Sequence, residues 1–171
     1  SWVIDSRGIY YDASRPSDLE HLLQVKTFDD ATLQRARDLR EKLVSTGLTK
    51  YNVGTLKWQR PEHATHLDVV LVPGQVESDA SLRYGAPGIS TNLELLKAAR
   101  IAHPEAWLIY KPHPDVVAGL RDMGENEDHA YRWCNEVVRD VSMGALLESV
   151  DIVHVLTSLS GFEALLRGKV V

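Results

Sequence analysis

The stretch Leu67-Asp68-Val69-Val70-Leu71-Val72-Pro73-Gly74 decides how the chain is read. Its apolar run is broken only by Asp68 and stops at a Pro-Gly pair. A continuous run, rather than an alternating one, marks a strand buried on both faces, as in a parallel sheet. Downstream, Ala106 to Tyr110 and Asp151 to Leu156 read the same way. Between them lie helical patterns. Thr91 and Glu94 have capping-box spacing, Leu93, Leu96 and Ala99 mark the faces of the helix they open, and His103-Pro104 ends it. Val116–Met123, Ala145–Ser149 and Phe162–Arg167 read as further helices, and Gln75–Ser90 as loop. An acidic loop follows at Gly124–Asp128. The region from there to Met143 is ambiguous, although Trp133 and Val137 fit one helix face. Strand and helix in alternation predict an α/β fold with a Rossmann-like parallel sheet and helices on both faces.

Towards the N-terminus the pattern changes. Ser17–Gln24 reads as a short helix. Asp29 and Asp30 cap a longer one whose Leu33, Ala36, Leu39, Leu43 and Val44 recur at helical spacing, with Asp38 and Lys42 as a supportive pair and Gly47 as the stop. The polar segment Lys50–His66, with Trp58 and Arg60, reads as a connector outside the core. Two parts are therefore expected: residues 1–66, an N-terminal helical lead-in and connector belonging to a preceding domain, and residues 67–171, a nucleotide-binding half cut short at its C-terminus. After Gly168, Val170-Val171 reads as the start of another strand, so the chain is expected to be a piece of a longer protein.

Composition narrows the class. Among 171 residues, 44% hydrophobic and 25% charged residues are those of an ordinary globular domain. A net charge of −5 argues against a nucleic-acid surface, and no apolar run or leader-like segment predicts a membrane span or export. Cys134 is the only cysteine, which fits a reducing, cytoplasmic setting.

In open α/β sheets ligands bind where strands end, and three loops here follow strands. Gly74-Gln75-Val76-Glu77-Ser78-Asp79 carries two carboxylates suited to a general base or a nucleophile, or simply to solvation. In Lys111-Pro112-His113-Pro114-Asp115 the prolines narrow the backbone and so pre-set Lys111 and His113, whose protonated forms offer donors to a phosphate. Thr157-Ser158-Leu159-Ser160-Gly161-Phe162-Glu163 opens a helix whose free N–H groups suit a phosphate, although a Ser160–Glu163 capping box also explains that pair. His63, His66 and His129 read as solvated, and His154 as a hydrogen-bonded core histidine. Trp107, Trp133 and Phe162 read as core. No metal site, P-loop or dinucleotide fingerprint is present.

These three motifs, in this order, resemble the capsule polysaccharide biosynthesis family, and within it the KpsC-like β-Kdo transferases. The upstream run Gly8-Ile9-Tyr10-Tyr11-Asp12-Ala13-Ser14-Arg15-Pro16-Ser17-Asp18-Leu19-Glu20 resembles the lead-in of the same proteins, so the likeness runs nearly end to end. The resemblance implies part of a two-Rossmann-domain (GT-B) glycosyltransferase that moves Kdo, an acidic eight-carbon sugar, from CMP-Kdo to a lipid-linked saccharide acceptor. It implies Asp79 or Glu77 as the catalytic carboxylate, with Ser78 standing where a second acidic residue is expected. Lys111 and His113 would hold the phosphate and leaving group, Ser158, Ser160 and Gly161 would meet the phosphate, Glu163 the ribose, and Gln75 would add to the nucleotide site. It implies no metal and no cofactor, and a cytoplasmic protein peripheral to the inner membrane beside a capsule assembly and export complex. Two other readings stand beside it: a CDP-glycerol-type phosphotransferase, and a non-catalytic nucleotide-binding module of that complex.

Overall fold

The computed structural model describes residues 3–55, 57–86 and 88–171. Its centre is a parallel sheet of β1 (Val69–Pro73), β2 (Trp107–Lys111), β3 (Glu136–Val137) and β4 (Ile152–Val153), in the order β3-β2-β1-β4. Val69 to Pro73 pair in register with Trp107 to Lys111, and Val70-Leu71 with Ile152-Val153. The expected next strand is visible as a parallel bridge between Ile152 and Val170.

Alternation along β1 builds two cores, because successive side chains of a strand point to opposite faces. Val69 and Leu71 join Ile109, Val153, Leu146, Leu147 and Ala164 on one face. Val70 and Val72 join Leu108, Tyr110, Leu95, Leu96 and Ala99 on the other. Helix α4 (Asn92–Ala102) covers the second face, opened by the Thr91–Glu94 capping box; α6 (Met143–Ser149) and α7 (Leu159–Leu166) cover the first. The N-terminal helices α1 (Asp18–Val25) and α2 (Asp30–Ser45) form with Ser17 and Asp29 as caps, yet neither buries a residue. In α2, Asp38 accepts from Gln34 Nε2 at 2.7 Å rather than pairing with Lys42.

Several expectations need correction. The connector reaches the core: Trp58 is 7% exposed and Ala64 is fully buried. Trp58 Nε1 donates to Glu136 Oε2 at 2.9 Å, and Arg60 Nη2 meets Asp151 Oδ2 at 2.6 Å, so its polar atoms find partners while the ring packs. The loop after β1 contains α3 (Ala80–Gly85), capped by Asp79. The helix expected to reach Met123 is only α5 (Pro114–Val117); Gly119 has φ +71° and the Asp115 carbonyl accepts from Leu120 and Arg121, which turns the chain away. Trp133 and Val137 share no helix: a 3-10 turn at Glu127–Arg132 leads into edge strand β3. Phe162 lies on the outer face of α7, 57% exposed, whereas Trp107 and Trp133 pack against the cores. Beyond Val153 the expected strand becomes loop.

Candidate functional site

The strand order reverses beside β1, and the loops after β1, β2 and β4 converge there on a cleft of about 880 Å³. That is the switch point where open α/β sheets bind ligands. Gln75, Asp79, Lys111, His113, Ser158, Ser160 and Glu163 line it; Glu77 and Gly161 do not.

Asp79 sits at the start of α3, where Oδ1 accepts from Ser81 N at 2.9 Å. That bond lowers the carboxyl below the usual aspartate range against some burial, and Arg121 and Lys50 add to the lowering. The group is therefore ionised at neutral pH. His113 is fixed between two prolines. Its Nδ1 accepts from Asp115 N at 3.1 Å, whereas the Asp115 carboxylate stands 3.9 Å from that nitrogen, beyond hydrogen-bond reach. An Nδ1 that accepts keeps its lone pair, so the ring is neutral with its proton on Nε2. Burial lowers its pKa further, opposed by Asp115. Nε2 has no hydrogen-bond partner among the described residues, and Tyr51 packs edge-on against the ring at 5.3 Å. Lys111 ends β2 at 4% exposure, with Nζ donating to the Arg139 carbonyl at 3.2 Å. Burial lowers its pKa and Asp140 raises it.

The third loop is held by Gln75. Its Oε1 accepts from Leu156 N, Thr157 N and Ser158 N at 3.2, 3.0 and 3.1 Å, and its Nε2 donates to Thr157 Oγ1 at 2.9 Å. The carboxamide is thus engaged inside the protein, clasping the loops of β1 and β4 together. Ser158, not Ser160, caps α7, accepting from Ser160 N at 3.2 Å. Glu163 therefore makes no capping box; it is buried, and its Oε1 accepts from Lys50 N at 2.6 Å. Gly161 serves packing: a Cβ there would stand 2.7 Å from Val155 Cγ2.

Glu77 faces away from the cleft. Its two oxygens accept from Asn92 N and Glu125 N, each at 2.7 Å, so it ties the β1 loop to the start of α4. Behind it lies a buried polar network. Tyr110 Oη donates to Glu127 Oε1 at 2.6 Å, Gly124 N to Glu127 Oε2 at 2.8 Å, and Asn92 Nδ2 to the Gln75 carbonyl at 2.9 Å. Burial, then Glu127, push the Tyr110 phenol far above its usual range. Gly74 lets the two sides approach, since a Cβ there would meet Tyr110 Oη.

Lys50, Tyr51 and Arg121 also line the cleft. No local pattern marks the first two, which reach the site only through the Glu163 and His113 contacts. Arg121 follows His113 by eight residues, the one hint available in the sequence. His154 has the internal partner expected of it: its Nε2 lies 2.9 Å from His103 Nε2. Among the described residues no group of three metal-ligating side chains forms, and no helix is long and apolar enough to cross a membrane.

The family model described as "Capsule polysaccharide biosynthesis protein" matches residues 1–171. The "Capsule polysaccharide modification protein LipA" of Neisseria meningitidis serogroup A is 46% identical over 169 residues, covering 99% of this chain and 24% of that protein. The "Lipopolysaccharide-processing protein LpsZ" of Rhizobium meliloti is 43% identical over 174 residues, covering 99% and 39%. The chain thus spans well under half the length of these relatives. Among solved structures, the β-Kdo 2,7 transferase of Thermosulfurimonas dismutans KpsC superposes with a TM-score of 0.77 at 41% identity, covering 96% of this chain and 49% of that one. The β-Kdo 2,4 transferase gives 0.78 at 29%, covering 98% and 52%. The α/β fold is therefore GT-B-like, as expected, and its solved neighbours are glycosyltransferases. With the family model spanning its whole length, the chain belongs to the capsule polysaccharide biosynthesis protein family.

Proposed function

We propose that residues 67–171 form the nucleotide-binding half of a transferase that moves Kdo from CMP-Kdo to a lipid-linked saccharide acceptor in capsule glycolipid synthesis. The observation that carries this reading is the convergence of three strand-end loops on one cleft, where an ionised carboxylate faces donors suited to a phosphate. Likeness to the two KpsC transferases supports the choice of Kdo.

In the reaction, the bond between the anomeric carbon and the phosphate oxygen breaks, and its electron pair leaves with CMP. The acceptor hydroxyl bonds to that carbon, and its proton passes to the phosphate of the departing CMP or to solvent, which balances the charge the phosphate gains. His113 would hydrogen-bond the departing phosphate through Nε2–H, keeping its proton, a task the neutral ring can perform. The Ser158 and Ser160 hydroxyls on one side of the cleft and the Lys111 charge at the end of β2 would add to that stabilisation. Asp79 would face the sugar as it gains oxocarbenium character. A carboxyl held below the usual range is a weak general base, which favours stabilising or trapping the cation. Glu163 would act through the Lys50 backbone, and Gln75 by holding the 156–158 loop in place. None of these steps requires a metal or cofactor. We place the protein in the cytoplasm, peripheral to the inner membrane beside a capsule assembly and export complex, and expect transfer only from the longer protein.

Calorimetry of CMP binding to the full-length protein tests the reading, with UDP and CDP-glycerol as comparisons. CMP should bind selectively, and His113→Ala should weaken it about tenfold or more. Equal binding of UDP, or an unaffected variant, would sink the assignment.

A further inference from the structure

Kdo carries a carboxylate on its anomeric carbon, so a protein carboxylate that approaches that carbon meets a second negative charge. Two such charges about 4 Å apart in a partly solvated cleft oppose one another by roughly a thousandfold in affinity. A site that sets Asp79 against this sugar therefore needs a cation facing both groups. Lys111 is not that cation, because its ammonium is buried against the Arg139 carbonyl. His113 is not, because its ring is neutral. Two cations remain at the cleft, Lys50 and Arg121, and among the described residues neither forms an ion pair.

We infer that Arg121 forms the subsite for the donor's sugar carboxylate, beside Asp79, while Lys50 serves the phosphate beside His113. This rests on the Kdo-transfer reading above. The backbone sets the two apart. Arg121 N donates to the Asp115 carbonyl at 3.2 Å, which ties it to the His113 loop, and its Nη2 reaches back to Ser78 Oγ at 3.4 Å, next to Asp79. Lys50 is fixed from the opposite wall through Glu163, and the Tyr51 ring beside it packs against His113. The electrostatics follow this split: Arg121 weighs more than Lys50 on the Asp79 carboxyl, and Lys50 more than Arg121 on the His113 ring. The side-chain chemistry agrees. A guanidinium matches a carboxylate with two parallel N–H donors, whereas an ammonium acts as a point charge. Arg121 is exposed and its guanidinium has only the weak Ser78 contact, so it is available to a ligand.

The subsite separates two ligands that share a nucleotide. CMP has the phosphate without the sugar carboxylate; CMP-Kdo has both. Competition calorimetry on the full-length protein would give the dissociation constants of each for the wild type, Arg121→Ala, Arg121→Lys and Lys50→Ala. Arg121→Ala should weaken CMP-Kdo about ten- to a hundredfold and leave CMP within about twofold. Arg121→Lys should recover part of the loss, and Lys50→Ala should weaken both ligands by the same factor. If Arg121→Ala weakens CMP as much as CMP-Kdo, the residue is a phosphate ligand and the inference is overturned; unchanged CMP-Kdo binding overturns it equally. If the wild type binds no CMP, the Kdo-transfer reading itself fails, and the subsite falls with it.

Discussion

Glu77 and Asp79 stand two residues apart on one loop, yet they belong to different parts of the molecule. Behind the loop, Glu77 has both oxygens taken by backbone N–H groups, and Glu127, Tyr110 and Asn92 continue a closed network into the interior. In front of it, Asp79 caps one short helix with a single oxygen and faces Lys50, Arg121 and the free nitrogen of His113 across an open cleft. A carboxylate whose acceptors are all occupied holds the fold in place. One that leaves capacity unused beside unpaired cations can still accept from a further donor. Residue type does not distinguish the two; the inventory of partners does.

The comparison is open to attack from both sides. Asp79→Asn should lower sugar transfer by roughly a hundredfold to a thousandfold or more. Its urea midpoint should stay where it was, because asparagine caps a helix as well as aspartate does. Glu77→Gln should show the reverse, keeping most of its turnover while losing stability. Identical behaviour of the two variants in turnover assays would erase the distinction between the sides. Deeper in the network, Glu127→Ala should cost about 3 kcal/mol in urea denaturation, since it strands the Tyr110 hydroxyl and the Gly124 N–H, with CMP affinity unchanged. A smaller effect is expected from His113. Its folded pKa is depressed, so the unfolded chain binds the proton first as pH falls through about 6.5, and the stability present above that value is lost below it. Comparing urea midpoints of wild type and His113→Gln at about pH 7.5 and about pH 5.5 reads this directly. The wild type should lose ground to the variant only at the lower pH, and a gap independent of pH would mean the ring is not held neutral.

Helices α2 and α4 show why part of the fold was legible and part was not. Both carry a capping side chain and apolar residues at helical spacing, and both form where the pattern places them. Leu93, Leu95 and Leu96 of α4 are buried against the sheet, while Leu33 and Leu39 of α2 remain exposed. Caps and periodicity are local and specify the helix; what covers its apolar face depends on neighbours distant in sequence. The same limit hid β3. Its two residues are half-buried and include Glu136, which carries no strand signature until Trp58 donates to it.

The sequence by itself determined the parallel sheet, because an unbroken run such as Val69–Val72 is stable only between two apolar layers. It also determined which three loops meet at the cleft, because strand ends in an alternating fold lie on one side. Tertiary structure alone decided which residues of those loops face the cleft. Gln75 is turned inward by three backbone N–H groups from residues 156–158, Glu77 is drawn to the start of α4, and Lys50 is brought in by a glutamate more than a hundred positions away. Each of these outcomes turns on which buried donor most needs an acceptor, and that is settled only when the loops are packed together.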